Sequence, residues 1–367
     1  MGNLSFVTHM TIQDNDISSD LQQRVLESIA NKQPLYIHGG NSKAFYGNTV
    51  DATPLDISPH TGIISYEPTE LCVTLRAGTL LSDLEALLNN TNQILPFEPP
   101  QYTTETTIGG AIAAGISGPR RAYTGSVRDA ILGVKIINGN GEIVSFGGQV
   151  MKNVAGYDLS RMMVRSQGTL GVILEVSLRL LPKPPKEITL TFESDQKSAL
   201  QFFQESRLQQ LPITASAWFN DQVYLRLSES ETVLEQSKKK LGFDLLSDYD
   251  DFWTDIRDHQ HHFFGRTDKP LWRLSLPPAT KQISSVDDNQ LIEWGGAQRW
   301  INSNAPANII QNIATSNNGY AYMFKGDLPE TPCFPLLDQP LMLLHKQLKR
   351  NMDPNGIFSP GRIYSGL

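Results

Sequence analysis

Cysteine is almost missing from this 367-residue chain: there are two, Cys72 and Cys333. They form no CxxC pair and have no histidine at ligand spacing. Neither a four-cysteine zinc or iron–sulfur site nor a disulfide framework can be built from them. Each sits among apolar neighbours and reads as a reduced packing residue. No apolar run approaches the roughly 18 residues of a membrane span. The opening "MGNLSF" lacks the basic and apolar regions of a secretory leader, and Phe6 stands where myristoylation needs Ser or Thr. Positive charge is in deficit, with a formal net charge of −7 and no long block of one sign. That argues against nucleic acid or an anionic membrane as the main partner. The expectation is a cytoplasmic protein without its own metal site, whose link to a membrane, if any, runs through a partner.

What is present is an ordinary soluble composition, 40% hydrophobic and 19% charged, in a chain long enough for two domains. "SSDLQQRVLESIANKQP" reads as a helix, with Ser19 and Gln22 as a capping box and Leu21, Val25 and Ile29 on one face. "LYI", "GIISYEP" and "ELCVTLRAG" read as strands, and Thr79 is placed to cap a helix over "LLSDLEALLNN". "RDAILGVKIINGNGEIVSFGG" is a hairpin around Asn138–Gly141. "NVAGYDLSRMMV" is glycine-broken in front and helical behind Asp158, and "GVILEVSLRLL" is a buried strand. The stiff "PKPPKE" at 182–187 is the best domain boundary. Beyond it, "EITLTF", "QKSALQFFQESRL", "TASAWF", "QVYLRLS" and "ETVLEQSKKKLGF" follow the order of a split β-α-β unit. "LWRLSLP", "QLIEWGGAQRWI" and "GYAYMFK" add strands. No internal repeat is visible. The tail is a helix stopped at Asp353-Pro354 and followed by a Gly/Pro loop.

Glycine gathers in three places: 38–43, 107–118 and 166–171. Without Cβ, successive N–H groups can point at one anion, though tight turns explain any single stretch. Gly110–Ser117 is one residue from a P-loop, with Ile116 in the lysine position. Gly118-Pro119 would stop the helix a P-loop opens, and the spacing also fails a dinucleotide fingerprint. Its glycines each cost about 1 kcal/mol in a helix relative to Ala. The segment is therefore expected to be a non-helical wall, with Ile108, Ile112 and Ile116 packing inward.

Four stretches together carry a family resemblance: "HGGNSK", "EPPQYTTETTIGGAIAAGISGPRRAYTGSVRDAILGVKII", "MKNVAGYDLSRMMVRSQGTLGVILEVSLRLLP" and "DPNGIFSPGR". They resemble the FAD-binding (PCMH-type, vanillyl-alcohol-oxidase) superfamily, and within it the FAD-binding subunits of bacterial glycolate oxidases. The resemblance implies an α+β protein: a PCMH-type FAD-binding fold of two α/β subdomains, then a smaller ferredoxin-like α+β cap. The implied division is 1–186 for the FAD domain, 187–337 for the cap, and 338–367 for a tail returning to the FAD domain. His38, Gly39, Gly40, Asn41, Ser42 and Lys43 would wrap the FAD pyrophosphate. Pro100, Thr107, Ile108, Gly109, Gly110, Gly115 and Gly118 would run beside the cofactor. Asn153, Gly156, Tyr157 and Asp158 would form a second segment, and Gly171, Val172 and Ile173 would present backbone to it. Tyr157 reads equally as a core aromatic, Asp158 as a helix cap and Lys43 as a solvated side chain.

The implied activity is oxidation of glycolate, and of D-lactate, to the 2-oxo acid, with electrons passing to an iron–sulfur subunit beside a related larger flavin subunit. A carboxylate clamp calls for arginine. Arg299 and Arg362 are the leading candidates for substrate work, with Arg120 and Arg121 beside them. The family's H-x-G-D-G-N-x-x-H motif has no counterpart; "FKGDLPE" lacks both histidines. The cluster His259, His261 and His262 reads as a solvated face rather than a metal site. Two other readings stay open: a non-catalytic electron-transfer or assembly subunit, and a stand-alone FAD-dependent alcohol or sugar oxidase.

Overall fold

The computed structural model describes residues 12–148, 159–247, 251–265, 268–283, 289–326 and 332–367. Helix α1 (Ser18–Asn31) buries Leu21 and Val25. The expected Ser19 capping box is not what starts it: Asp16 accepts the N–H and hydroxyl of Ser18. A carboxylate there also complements the positive helix end. Strands β1 (Leu35–His38) and β2 (Thr53–Asp56) pair in parallel. Strands β3 (Ile63–Glu67) and β4 (Cys72–Arg76) follow, then helix α2 (Leu81–Asn90) and the short β5 (Gln93–Ile94). Thr79 does not cap α2; its hydroxyl accepts the N–H of Gly62. All five residues of β4 are buried, so its alternation does not separate a wet face from a dry one.

Helix α3 (Ile108–Ala114) is a correction to the sequence reading. Three glycines and the following Gly118-Pro119 argued against any helix. Here Thr107 caps the Gly110 N–H, Ile108 and Ile112 are fully buried, and Gly115 closes the helix at φ 62°. Packing on both sides overrides the propensity of seven residues. Helices α4 (Arg121–Thr124) and α5 (Val127–Ala130) lead into the hairpin β6 (Ile131–Ile137) and β7 (Ile143–Gly147), and β8 (Val172–Arg179) follows. One five-stranded antiparallel sheet results, ordered β3-β4-β8-β6-β7. Strand β9 (Leu181–Pro182) returns to β5.

The second sheet has eight antiparallel strands. Its first half runs β10 (Lys186–Glu193), α6 (Gln196–Ser206), β11 (Ile213–Phe219), β12 (Gln222–Glu229), α7 (Glu231–Leu241) and β13 (Asp244–Leu245). The short α8 (Phe252–Arg257) intervenes. The second half runs β14 (Leu271–Ser275), β15 (Gln290–Glu293), β16 (Gln298–Asn302), α9 (Ala307–Ser316) and β17 (Tyr320–Lys325). The spatial order is β13-β10-β12-β11-β15-β16-β14-β17. Numbering the strands of each half 1 to 4, both read 4-1-3-2, and the halves meet where β11 pairs with β15. The cap is thus a structural duplication, a repeat the sequence does not display.

Alternation assigns the two faces of this sheet. Trp272, Leu274, Ile301, Ala321 and Met323 pack under α9. Leu291, Trp300, Tyr322 and Phe324 face the other way, into an aromatic cluster shared with Tyr46, Ala114 and Ile116. Helix α10 (Gln339–Met352) ends at Asp353, and the tail then pairs with β1: Leu35 donates to Ile357, and Ser359 donates to Leu35. No helix among the described residues is long and apolar enough to cross a membrane.

Candidate functional site: a glycine-lined cleft and its junction with the second sheet

A cleft of about 720 Å³, including its mouth, opens between the end of β1, α3 and the turn before β8. His38, Gly39, Gly40, Asn41, Ser42 and Lys43 form one wall, and Thr107, Gly109 and Gly110 form the next. The loop and α3 touch at van der Waals limits. A Cβ on Gly40 would collide with the main chain of Glu105, and one on Gly39 with the Thr107 side chain. Among the described residues, no acceptor takes the N–H groups of Gly40, Asn41, Ser42 or Lys43. Gly110 meets only its own cap, the Thr107 hydroxyl, so a side chain there would project into the cleft.

The expected residues divide clearly. Gly171 and Ile173 also line the cleft. Ile108 and Val172 are core residues one step behind the wall. Pro100, Gly115 and Gly118 lie outside the lining: Gly115 closes α3, and Gly118 packs on the Glu98 carbonyl. Asn153, Gly156, Tyr157 and Asp158 fall outside the described residues. Tyr36, Ile37, Tyr46, Ile57, Ala113, Ala114, Gln167 and Gly168 also line the cleft and were not named as cofactor residues. The signal for most was positional: Ala113, Ala114, Gln167 and Gly168 lie inside the glycine stretches, and Tyr36, Ile37 and Tyr46 flank the first.

Neither leading arginine has a free fork. Arg362 lines the cleft, but donates to the carbonyls of Asn48 (2.7 Å), Ala44 (3.0 Å) and Tyr46 (2.7 Å), fastening the loop behind Lys43. Arg299 pairs in register with Leu274 and so points to the helix-covered face, away from the cleft. It donates to the carbonyls of Lys281 (2.8 Å) and Thr280, and burial lowers its pKa to about 10. Arg120 sits in a buried network with Glu98 (3.1 Å) and Glu187 (2.5 Å), which Arg226 joins through Glu98 at 2.8 Å. That network ties α4 to the second sheet.

The histidines are a solvated face only in part: His262 is exposed, whereas His261 is buried and the ring of His259 stacks on Phe264 at 4.1 Å. Burial, with Arg273 and Lys325 nearby, lowers His259 to about 3. No group of three or more His, Cys, Asp or Glu among the described residues could hold a metal.

Where the two sheets meet, side chains join in one chain of hydrogen bonds. Glu293 accepts from Trp300 Nε1 (2.7 Å) and Gln298 Nε2 (2.9 Å). Gln298 Oε1 accepts from Arg273 Nε (2.6 Å), and Arg273 Nη1 donates to Tyr322 Oη (2.8 Å). Tyr46 Oη reaches Tyr322 Oη at 3.3 Å, and Arg165 Nη2 donates to Tyr46 Oη at 3.2 Å. Burial pushes Glu293 up to about 7, against the pull of its two donors. Lys43 is lowered to about 8 by burial, partly offset by Asp258.

A row of main-chain N–H groups unpaired among the described residues, glycines at close approach and one half-buried lysine make a cradle for an extended phosphate-bearing ligand. The fold and this cleft define a flavin-binding protein of the α+β class. Residues 18–147 match the family of FAD binding domains. Glycolate oxidase subunit GlcE of Escherichia coli (strain K12) is 43% identical over 97% of this chain and 100% of its own length. Glycolate oxidase subunit GlcD of Bacillus subtilis (strain 168) is 34% identical over 35% of this chain and 27% of its own. In fold, p-cresol methylhydroxylase with substrate bound is similar at a TM-score of 0.71 and 14% identity, over 96% of this chain and 88% of that one. The chain belongs to the glycolate oxidase GlcE subunit family. FAD is the cofactor that the matching domain family binds, and the cleft has the donor set for it.

Proposed function

We propose that this chain is an FAD-carrying subunit of a glycolate oxidase complex, converting glycolate, and longer relatives such as D-lactate, to the 2-oxo acid. The observation that carries this reading is identity of 43% along the whole length to a glycolate oxidase subunit, on a chain whose glycine cradle is built for FAD. Residues 1–186 hold the cofactor on this reading, 187–337 cover it, and 338–367 fasten the two. When bound, FAD supplies the ring that accepts the reducing equivalents of a CH–OH group. The chain's own part is to hold the pyrophosphate on N–H groups 40–43, to set Lys43 against its charge, and to close the junction with Tyr46, Tyr322 and Phe324. With two cysteines and no described metal cluster, an iron–sulfur centre accepting the electrons belongs to another subunit, and a related flavin subunit completes the assembly. The cytoplasmic face of the inner membrane is the expected place of work.

The test is to purify the chain alone and with its partner subunits, record the flavin absorbance, and add glycolate without oxygen. Bleaching in the assembly supports the proposal. An assembly that is fully flavin-loaded yet unchanged by glycolate contradicts it.

A further inference from the structure

A second chamber opens beside the flavin cleft, about 1050 Å³ with its mouth, and Gln167 lines both. Its walls come from both sheets. Arg165, in left-handed backbone conformation (φ 67°), reaches in from the turn before β8. Tyr320 and Tyr322 reach in from the cleft-facing side of β17, and Phe334 and Tyr364 add apolar surface.

Two more guanidiniums stand behind this wall. Arg121 lies 4.4 Å from the Trp294 ring centre and Arg273 lies 5.0 Å from the same centre. Arg273 also donates to Tyr322. Elsewhere at the junction, buried arginines have carboxylates: Arg120 and Arg226 take Glu98 and Glu187. Arg121, Arg165 and Arg273 have no ion pair among the described residues; Arg165 hydrogen-bonds Tyr46 and Tyr320, and Arg273 donates to Gln298 and Tyr322. Glu293, the carboxyl that faces Arg273, is already committed to Trp300 and Gln298. Asp129, the acid facing Arg121, accepts from Ser126.

Arg121 and Arg165 keep contact with solvent and Arg273 is half-buried, so what gathers here is like charge without a counter-charge, a field that favours an incoming anion. The mutual repulsion registers on the groups themselves. Arg121 is lowered first by burial and then by Arg273 and Arg165. The Tyr320 phenol, which burial alone would raise, is held below its ordinary value by Arg165 and Arg273. Arginine forks match the two oxygens of a carboxylate, and the tyrosine and phenylalanine walls suit a short carbon chain.

We propose that this chamber is the subsite for the carboxylate of a small 2-hydroxy acid, gripped by Arg165 with the Tyr320 and Tyr322 hydroxyls and drawn in by the charge of Arg273 and Arg121. The proposal rests on the glycolate oxidase reading. It replaces Arg299 and Arg362 as carboxylate clamps and keeps only Arg121 of the arginines singled out in the sequence.

The test uses oxalate, a carboxylate of glycolate's size that cannot be oxidised as an alcohol. Oxalate binding to the FAD-loaded full chain is measured by calorimetry for wild type, Arg165→Gln and Arg121→Gln. The Arg121 side chain makes no hydrogen bond among the described residues, so its variant guards against a folding defect in the other. The expected result is affinity weaker by roughly tenfold or more in Arg165→Gln and by several-fold in Arg121→Gln, with FAD content unchanged. Equal affinity in all three chains, no binding to the loaded wild type, or loss of FAD from Arg121→Gln would each overturn the proposal; the last would mean that the arginines serve the cofactor. Glycolate bleaching of the assembly is measured in parallel. An assembly that bleaches while oxalate ignores the arginines sinks this subsite and leaves the functional reading intact. An assembly that does not bleach, with arginine-dependent oxalate binding, sinks the functional reading and leaves the carboxylate site.

Discussion

Gly110 and Lys43 face the same cleft and answer to different physics. Gly110 has open space ahead of it and only the Thr107 hydroxyl, at 3.1 Å, beside its missing Cβ. Gly110→Val should fold with a melting temperature within a few degrees of wild type yet retain little FAD, which flavin absorbance per chain will read. Retained flavin would place the cofactor elsewhere. Lys43 holds fewer protons folded than unfolded, because burial lowers it to about 8. Stability of the FAD-free chain should therefore rise with pH from about 8 toward the usual lysine value, and Lys43→Met should lose that rise. FAD affinity should move the opposite way. It should fall several-fold between about pH 7 and pH 9.5 as the ammonium is lost, and Lys43→Met should flatten the profile. Fluorescence titrations across pH check both. The glycine stretches named most of this wall from the sequence, because backbone approach needs residues without Cβ. The arginines were harder. Arg299 and Arg362 are conspicuous in "WGGAQRW" and "SPGR", but nothing in one sequence tells a fork aimed at carbonyls from a free one.

At the scale of elements, long periodic segments were legible and short ones were not. The β6–β7 hairpin follows its Asn-Gly turn: Asn138 Oδ1 accepts the N–H groups of Asn140 and Glu142. Helix α3 was not legible, because its stability comes from Ala77, Thr79 and the core around Ile112, contacts distant in sequence. The cleft-facing side of the cap was partly legible. Alternation in "LWRLSLP" and "GYAYMFK" puts Arg273, Tyr320 and Tyr322 on one face, a sign that strand assignment alone passes over. The tail is held by one buried pair. Lys349 Nζ donates to Asp353, Thr169 and Phe358, each at 2.7 Å, while Asp353 accepts the N–H groups of Ile357 and Phe358. Lys349→Met leaves that carboxylate without its cation, and should cost about 3 kcal/mol or more. A urea midpoint lowered accordingly confirms the latch; an unchanged midpoint contradicts it.

At the scale of the whole molecule, two sheets enclose one aromatic junction. The cap's two halves share an order and no visible sequence repeat, since the fold asks only for alternation and strand length, which many sequences meet. The junction lays the apolar Tyr46, Trp300, Tyr322 and Phe324 beside buried charges, and the Glu98–Arg120–Arg226–Glu187 network ties its edge. The cleft opens beside this junction, so both the ligand and the cap act on one place. The central claim is that this cleft holds FAD. The most direct measurement is a titration of the flavin-depleted chain with FAD, followed by fluorescence, with the stoichiometry read from the break. The account predicts one FAD per chain for wild type and no saturable binding for Gly110→Val. A folded wild-type chain that takes up no FAD would contradict it.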